Sequence, residues 1–278
     1  MPLAAVQNPY ILIVMQDEDP TNPRENYDNF GKMACWHRRY NLGDKHDYED
    51  SAGLFRELIR NSVSEKDIIQ YVKDGNARYL KLEYNKSSRA WDVTSFWDFT
   101  KDWYTESFPG TLEENRSMIH DAILAEMRNS DLKAMAEKSH IIKPLYLYDH
   151  SGITMNTSGF ACRWDSGQVG WIYARHEDIK KEYGSLTPET LERANHLLES
   201  EVKTYDAYIS GQCYGFQLYK DGEEIDSCWG FLGDTDVVKE NIKEYIEHDL
   251  HGLIDNLDYT ETAAEEIVME ESEYEDEI

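Results

Sequence analysis

Long hydrophobic runs are missing from this sequence, and positive charge is scarce. The longest apolar run, "YILIVM" at 10–15, has six residues. A bilayer span needs about 20, so the run reads as a buried strand and a soluble protein without membrane segments is expected. Lys and Arg number 28 against 55 Asp and Glu, for a net charge of −27. A field of that sign repels nucleic acid, so direct nucleic-acid binding is not expected. Cysteine is sparse: Cys35, Cys162, Cys213 and Cys228 lie far apart, with no C-x-x-C pair. With no signal-peptide pattern, they read as reduced thiols in a cytoplasmic protein.

Several chemical signatures are also lacking. No G-x-x-x-x-G-K-[ST], G-x-G-x-x-G or G-x-S-x-G occurs, so nucleotide binding and α/β-hydrolase chemistry have no motif to stand on. No H-E-x-x-H or EF-hand spacing occurs either, and neither a metal site nor a cofactor is predicted. No internal repeat or Ser/Gly-rich linker divides the chain, so a single domain over 1–258 is expected, with a seam near 140 as the alternative.

What is present is core material. Hydrophobic residues make up 40% and aromatics 12% of the chain, enough to offset the entropy of ordering it. Helices are predicted over 51–61, with Ser51 as cap, over 64–75 stopping at Gly75, and over 95–108 from the spacing of Phe96, Phe99 and Trp103. A long helix over 112–139 opens with a Thr111/Glu114 capping box. Another over 187–210 has Thr187 as N-cap, Pro188 at N1 and Gly211 as stop, and an amphipathic helix is predicted over 236–257. Strands are predicted at 10–15 and 77–85. Hairpins are predicted around D-H-S-G (149–152), D-S-G (165–167) and K-D-G-E (220–223). Helices and hairpins without βαβ alternation predict an α+β fold of mostly antiparallel sheet with packed amphipathic helices. Residues 259–278 read as a disordered acidic tail.

Two segments, "FACRWDSGQVGWIYA" (160–174) and "DSCWGFLGD" (226–234), crowd Cys, Trp, Asp and Gly together. D-S-G is explained by turn formation alone, because Asp bonds its own backbone and Gly takes positive φ. Cys162 and Trp164, two apart, would share one face of a strand. A cysteine nucleophile needs an imidazole base, and His150 and His37 are available. The catalytic candidates, if the chain is an enzyme, are Asp149, His150, Cys162 and Asp165, acting on a small molecule or a nucleotide signal. Asp149, Asp165, Asp206 and Asp226 are carboxylates that turn chemistry also explains.

The acid has its own pattern. After Lys243 no Lys or Arg follows, while Asp and Glu occur 14 times. Carboxylates on helices can imitate DNA phosphates, which lie one per ~1.7 Å of duplex axis. The binding candidates are Glu113, Glu114, Asp121 and Glu126 on the 112–139 segment and Glu240, Glu244, Glu247 and Asp255 on the 236–257 segment. "NPRENYDNFGKMACWHRRYNLGDKHDY" (22–48), "YDHSGITMNTSGFACRWDSGQVGWIY" (148–173) and "YDAYISGQCYGF" with "DSCWGFLGD" (205–234) resemble a family of uncharacterised proteins carried by phages and conjugative elements of Gram-positive and gut bacteria. The resemblance covers roughly 8–235 and carries no catalytic residues. It implies a mobile-element setting, in which small acidic proteins often inhibit host defence. ArdA-type antirestriction proteins, which are acidic DNA mimics, resemble this chain in charge only. The expected partner is therefore a host nucleic-acid-binding defence protein. A third reading is a structural module whose exposed aromatics bind another protein.

Overall fold

The computed structural model describes residues 2–260 together with 267 and 268. The chain is an α+β fold with 35% helix and 32% strand, all of its sheets antiparallel in their recorded pairings. It divides into two compact units. One is built from the chain up to Phe30, Pro144–Val169 and the residues from His196 on; the other from Gly31–Lys143 and Gly170–Asn195.

The first unit holds a five-stranded sheet. Strands β1 (Leu3–Gln7) and β2 (Tyr10–Gln16) form a hairpin, and β10 (Cys213–Lys220) with β11 (Glu223–Leu232) forms another. Together with β12 (Asp258–Tyr259) they give the order β11-β10-β2-β1-β12. Alternate residues of the strands, Leu3, Ala5, Leu12, Val14, Phe216 and Leu218, face one core, as the two-residue period of a strand requires. That core is closed by Val238 and Ile242 of α8 (Thr235–Ile242), by Leu250 of a 3-10 turn (His248–Leu250), and by Leu253 and Ile254 of α9 (His251–Asp255). The helix expected over 236–257 is thus broken. The His251 ring lies 3.0 and 3.2 Å from the carbonyls of Lys243 and Ile246. A carbonyl can only accept, so Nε2 donates to the Lys243 carbonyl at the end of α8 and to that of Ile246 in the turn beyond it.

Short helix α1 (Pro23–Asn26) is capped by Asn22, whose side chain accepts from Arg24 N. The buried Arg24 guanidinium meets Glu201 at 3.1 Å, and Glu201 also accepts from Phe30 N at 2.6 Å. The loop that follows α1 is thereby anchored to α7 (Pro188–Ile209). Thr187 and Gly211 (φ +74) bound α7 as the sequence predicts. The expected tail lies outside the described residues from 261 on, except for 267 and 268. Tyr259 itself pairs with Leu3 in the sheet.

In the second unit, α2 (Ser51–Ser62), α3 (Glu65–Lys73), α4 (Arg116–Glu126) and α5 (Asn129–Ala136) pack with β4 (Leu80–Asn85), β5 (Ala90–Trp97) and β6 (Asp102–Pro109) around Leu54, Phe55, Ile59, Ile68, Ile119 and Ile123. The cap of α2 is Asp50 rather than Ser51, its carboxylate accepting from Gly53 N at 2.8 Å. The Thr111/Glu114 capping box forms reciprocally, but it closes a turn, and the helix begins at Arg116. The helix expected over 112–139 is two helices with Met127 and Arg128 extended between them. The Arg56 side chain donates to the carbonyls of Leu124 and Ala125 at 2.9 and 3.2 Å, which satisfies the end of α4.

The helix expected over 95–108 is a β-hairpin, β5 and β6 in register from Ala90↔Pro109 to Trp97↔Asp102. Its Trp, Thr, Phe and Tyr residues favour a pleated sheet, and Asp98–Lys101 forms the turn, with Lys101 at φ +57. A fourth sheet strand in this unit, β3 (Lys32–Cys35), pairs with Gly170–Tyr173 of β9 (Ser166–Arg175). The first unit takes up the chain again at Pro144, within β7 (His140–Asp149), and there Tyr146–Asp149 pairs with β8 (Ile153–Asn156) in the hairpin predicted at D-H-S-G.

Candidate functional site

The turn between β7 and β8 places His150. Ser151 (φ +58) and Gly152 (φ +153) take up the left-handed backbone, and His150 N donates to Gly152 O at 3.0 Å. After β8 the chain does not form the second predicted hairpin, for 157–165 contain no strand and D-S-G leads directly into β9. The Asn156 side chain explains this, since its Oδ1 accepts from the backbone N–H of Ser158 and Gly159 at 3.1 and 2.6 Å. That side-chain turn competes with a strand ladder. Cys162 and Trp164 therefore do not share a strand face, and Trp164 is 96% exposed.

The loop returns Asp165 to the β7–β8 turn. Asp149 N donates to Asp165 O at 2.8 Å. One carboxylate oxygen, Asp165 Oδ2, is 3.5 Å from His150 Nδ1 and 3.6 Å from Cys162 Sγ. Three of the four catalytic candidates thus meet at one oxygen, and Asp149 joins them through its backbone N–H. The order is Cys–Asp–His, with the carboxylate between thiol and imidazole. A thiolate nucleophile requires the imidazole itself at the sulfur, whereas here the thiol donates to the Asp165 carboxylate. The arrangement suits an Asp–His proton-transfer pair better than a cysteine nucleophile. Beside it lies an open pocket of about 530 Å³ lined by Tyr146, Ser158, Phe160, Arg163 and Ser166.

The other sequence candidates have structural positions. Asp206 is half-buried and accepts from Thr154 Oγ1 and Met155 N at 2.8 and 2.6 Å. Burial raises its carboxyl above the usual range, against those two hydrogen bonds. Cys213 is buried, and burial, with the Asp17 carboxylate 3.8 Å away, pushes its thiol up to about 11, the opposite of what a reactive cysteine needs. His37 stacks on Tyr40 with ring centroids 5.0 Å apart. Among the described residues no group of three or more His, Cys, Asp or Glu is placed to hold a metal ion.

The two acidic segments differ sharply. On α4 and its entry turn the carboxylates are committed within the chain. Glu113 pairs with Arg116, Glu114 caps Thr111, Asp121 lies 3.8 Å from Arg60, and Glu126 accepts from Ser95 Oγ and Trp97 Nε1 at 2.7 and 2.9 Å. On 234–258 the apolar side is spent on the core, and Asp234, Asp236, Glu240, Glu244, Glu247, Asp249, Asp255 and Asp258 are all exposed. The only Lys or Arg there are Lys239, which donates to Leu257 O, and Lys243, bound to Glu240 and Asp255 at 2.9 and 3.0 Å. The segment is thus a run of exposed carboxylates whose two cations are bound within the chain.

No helix among the described residues is long and apolar enough to cross a membrane. Compared with protein-family models, curated proteins and solved structures, the chain finds no match in any of the three.

Proposed function

We propose that this chain is a phage- or plasmid-encoded inhibitor of a bacterial defence system, acting in the host cytoplasm by binding the cationic surface of a nucleic-acid-binding protein. The observation that carries the reading is the 234–258 layer, whose eight exposed carboxylates face solvent while Lys239 and Lys243 are tied down. Opposite charge makes such association fast and salt-sensitive. The defence setting is supported by the resemblance of the three sequence segments, and the carboxylates stand in for phosphates.

The test is competition. A purified DNA-binding restriction subunit is presented with labelled duplex and with this protein across a salt series. Displacement of duplex that weakens as salt rises, and that falls on Glu244→Gln with Glu247→Gln and Asp249→Asn, is the expected result. Truncation after Thr260 leaves β12 intact and slows association if the acidic residues beyond it take part. Displacement unchanged by salt and by the triple substitution removes the reading.

A second reading is favoured by the convergence on Asp165 Oδ2: an enzyme that acts on a small molecule or nucleotide signal beside the 146–167 pocket. It predicts loss of function on Asp165→Asn or His150→Ala in a still-folded protein, with Cys162→Ala nearly silent.

A further inference from the structure

The β5–β6 hairpin ends in aromatic side chains that the core does not use. Phe99, in the turn, is 98% exposed, and Trp97, Trp103 and Tyr104 are 42–45% exposed. They occupy both faces of the hairpin end. Trp97 lies against Tyr104 with centroids 4.6 Å apart, and Phe96 against Trp103 at 5.4 Å on the other face, the diagonal and direct cross-strand pairings that the register permits. Such a cluster at a solvent-facing tip marks an interaction surface.

Charge and ring chemistry indicate what the surface takes. Around the tip stand Asp98, Asp102 and Glu106; Asp98 is taken up by Lys101 at 3.4 Å and by Arg128 at 2.8 Å, and Asp102 and Glu106 are the exposed carboxylates beside the rings. Rings in this sheet and at its entry already accept cations from the chain itself. Lys73 sits over Trp91 at 5.1 Å, Lys81 over Trp103 at 4.8 Å, and Arg128 over Tyr79 at 3.3 Å. No such cation is recorded over Phe99, Trp97 or Tyr104 among the described residues. Open rings interleaved with carboxylates are complementary to guanidinium groups, which stack on rings and bond carboxylates at once.

We infer that the tip of the β5–β6 hairpin docks an arginine-rich segment of a protein partner. The inference is independent of the 234–258 surface, which lies in the other unit.

The test uses the full chain with an oligo-arginine peptide, an oligo-lysine peptide of equal length, and oligothymidylate. At about 1 M salt, where charges are screened beyond about 3 Å, oligo-arginine is expected to bind more tightly than oligo-lysine. Phe99→Ala and Tyr104→Ala are each expected to weaken it roughly two- to five-fold, the worth of an exposed cation–π contact. The Glu244→Gln, Glu247→Gln, Asp249→Asn protein should bind it unchanged under those conditions. Circular dichroism checks that each variant is folded, and the exposure of Phe99 makes that variant the safer one. Unchanged affinity in both hairpin variants overturns the inference. So does tighter binding of oligothymidylate at the same rings, or self-association of the chain that Phe99→Ala abolishes while peptide binding persists. The 234–258 reading fails separately, by loss of salt-sensitive duplex displacement.

Discussion

Glycine 170 shows how little freedom single positions can have. A Cβ placed there would lie 2.2 Å from the Ala34 carbonyl oxygen and 2.9 Å from Cys35 Cα, both backbone atoms of β3. Backbone cannot swing aside as a side chain can, so Gly170→Ala is expected to lower stability by about 3 kcal/mol. Three residues earlier, Gly167 has nothing within 4 Å of its built Cβ, and Gly167→Ala should stay within about 0.5 kcal/mol of the parent. Urea unfolding of the pair measures the difference directly. His140 makes a second residue-scale prediction. It is buried, its Nδ1 lies 3.2 Å from Ala136 O, and its Nε2 has no partner among the described residues. Burial holds its pKa below the ordinary value, with His176 and Arg175 acting the same way, while the Ala136 bond and Asp178 act against it. Burial likewise lowers His176. Both rings are therefore neutral in the fold and take up protons on unfolding, so their contribution is intact above the unfolded value near 6.5 and is lost as pH falls below it. The urea midpoint should drop below about pH 6.5, and less steeply in His140→Gln.

At the scale of the element, ends and breaks are decided by particular side chains. Arg24 and Glu201 form a pair with side chains 1% and 11% exposed. Glu201→Gln leaves the guanidinium buried without its counter-charge, and a loss of about 3 kcal/mol is expected by denaturant titration. The same kind of local chemistry explains what could be read in advance. The α2, α3 and α7 helices, the D-H-S-G and K-D-G-E hairpins and the strand at 10–15 follow from caps, turn residues and β-branched runs. The split of 112–139 does not, because it depends on Arg56, which lies some 70 positions away in the chain and takes the carbonyls of Leu124 and Ala125. The break after α8 depends in the same way on His251. In "SFWDFTKDWYTESF" the spacing of Phe96, Phe99 and Trp103 matched a helix, but β-propensity over Trp97–Thr105 carried the opposite signal and prevailed. The site was half legible. His150, Cys162 and Asp165 are near in sequence and do meet, and the Thr111/Glu114 box follows from its spacing, whereas the engagement of Asp121 with Arg60 and of Glu126 with Ser95 and Trp97 joins distant segments and could not be read from spacing.

For the whole molecule, charge is the property most open to experiment. The prediction of salt-sensitive duplex displacement belongs to this scale, since the field is summed over the chain, while the hairpin inference concerns short-range stacking that survives high salt. The two can therefore be separated on one protein by ionic strength alone. The interleaved construction of the two units has a further consequence, for deletion mapping. The chain passes from one unit to the other within β7, within β9 and within α7, and neither unit is a contiguous stretch of the gene. A stop codon or fusion junction anywhere between 31 and 195 therefore removes strands or helices from both units. Fragments cut there would report the loss of the fold rather than the address of an activity. Function in this protein is best located by point substitution on the intact chain.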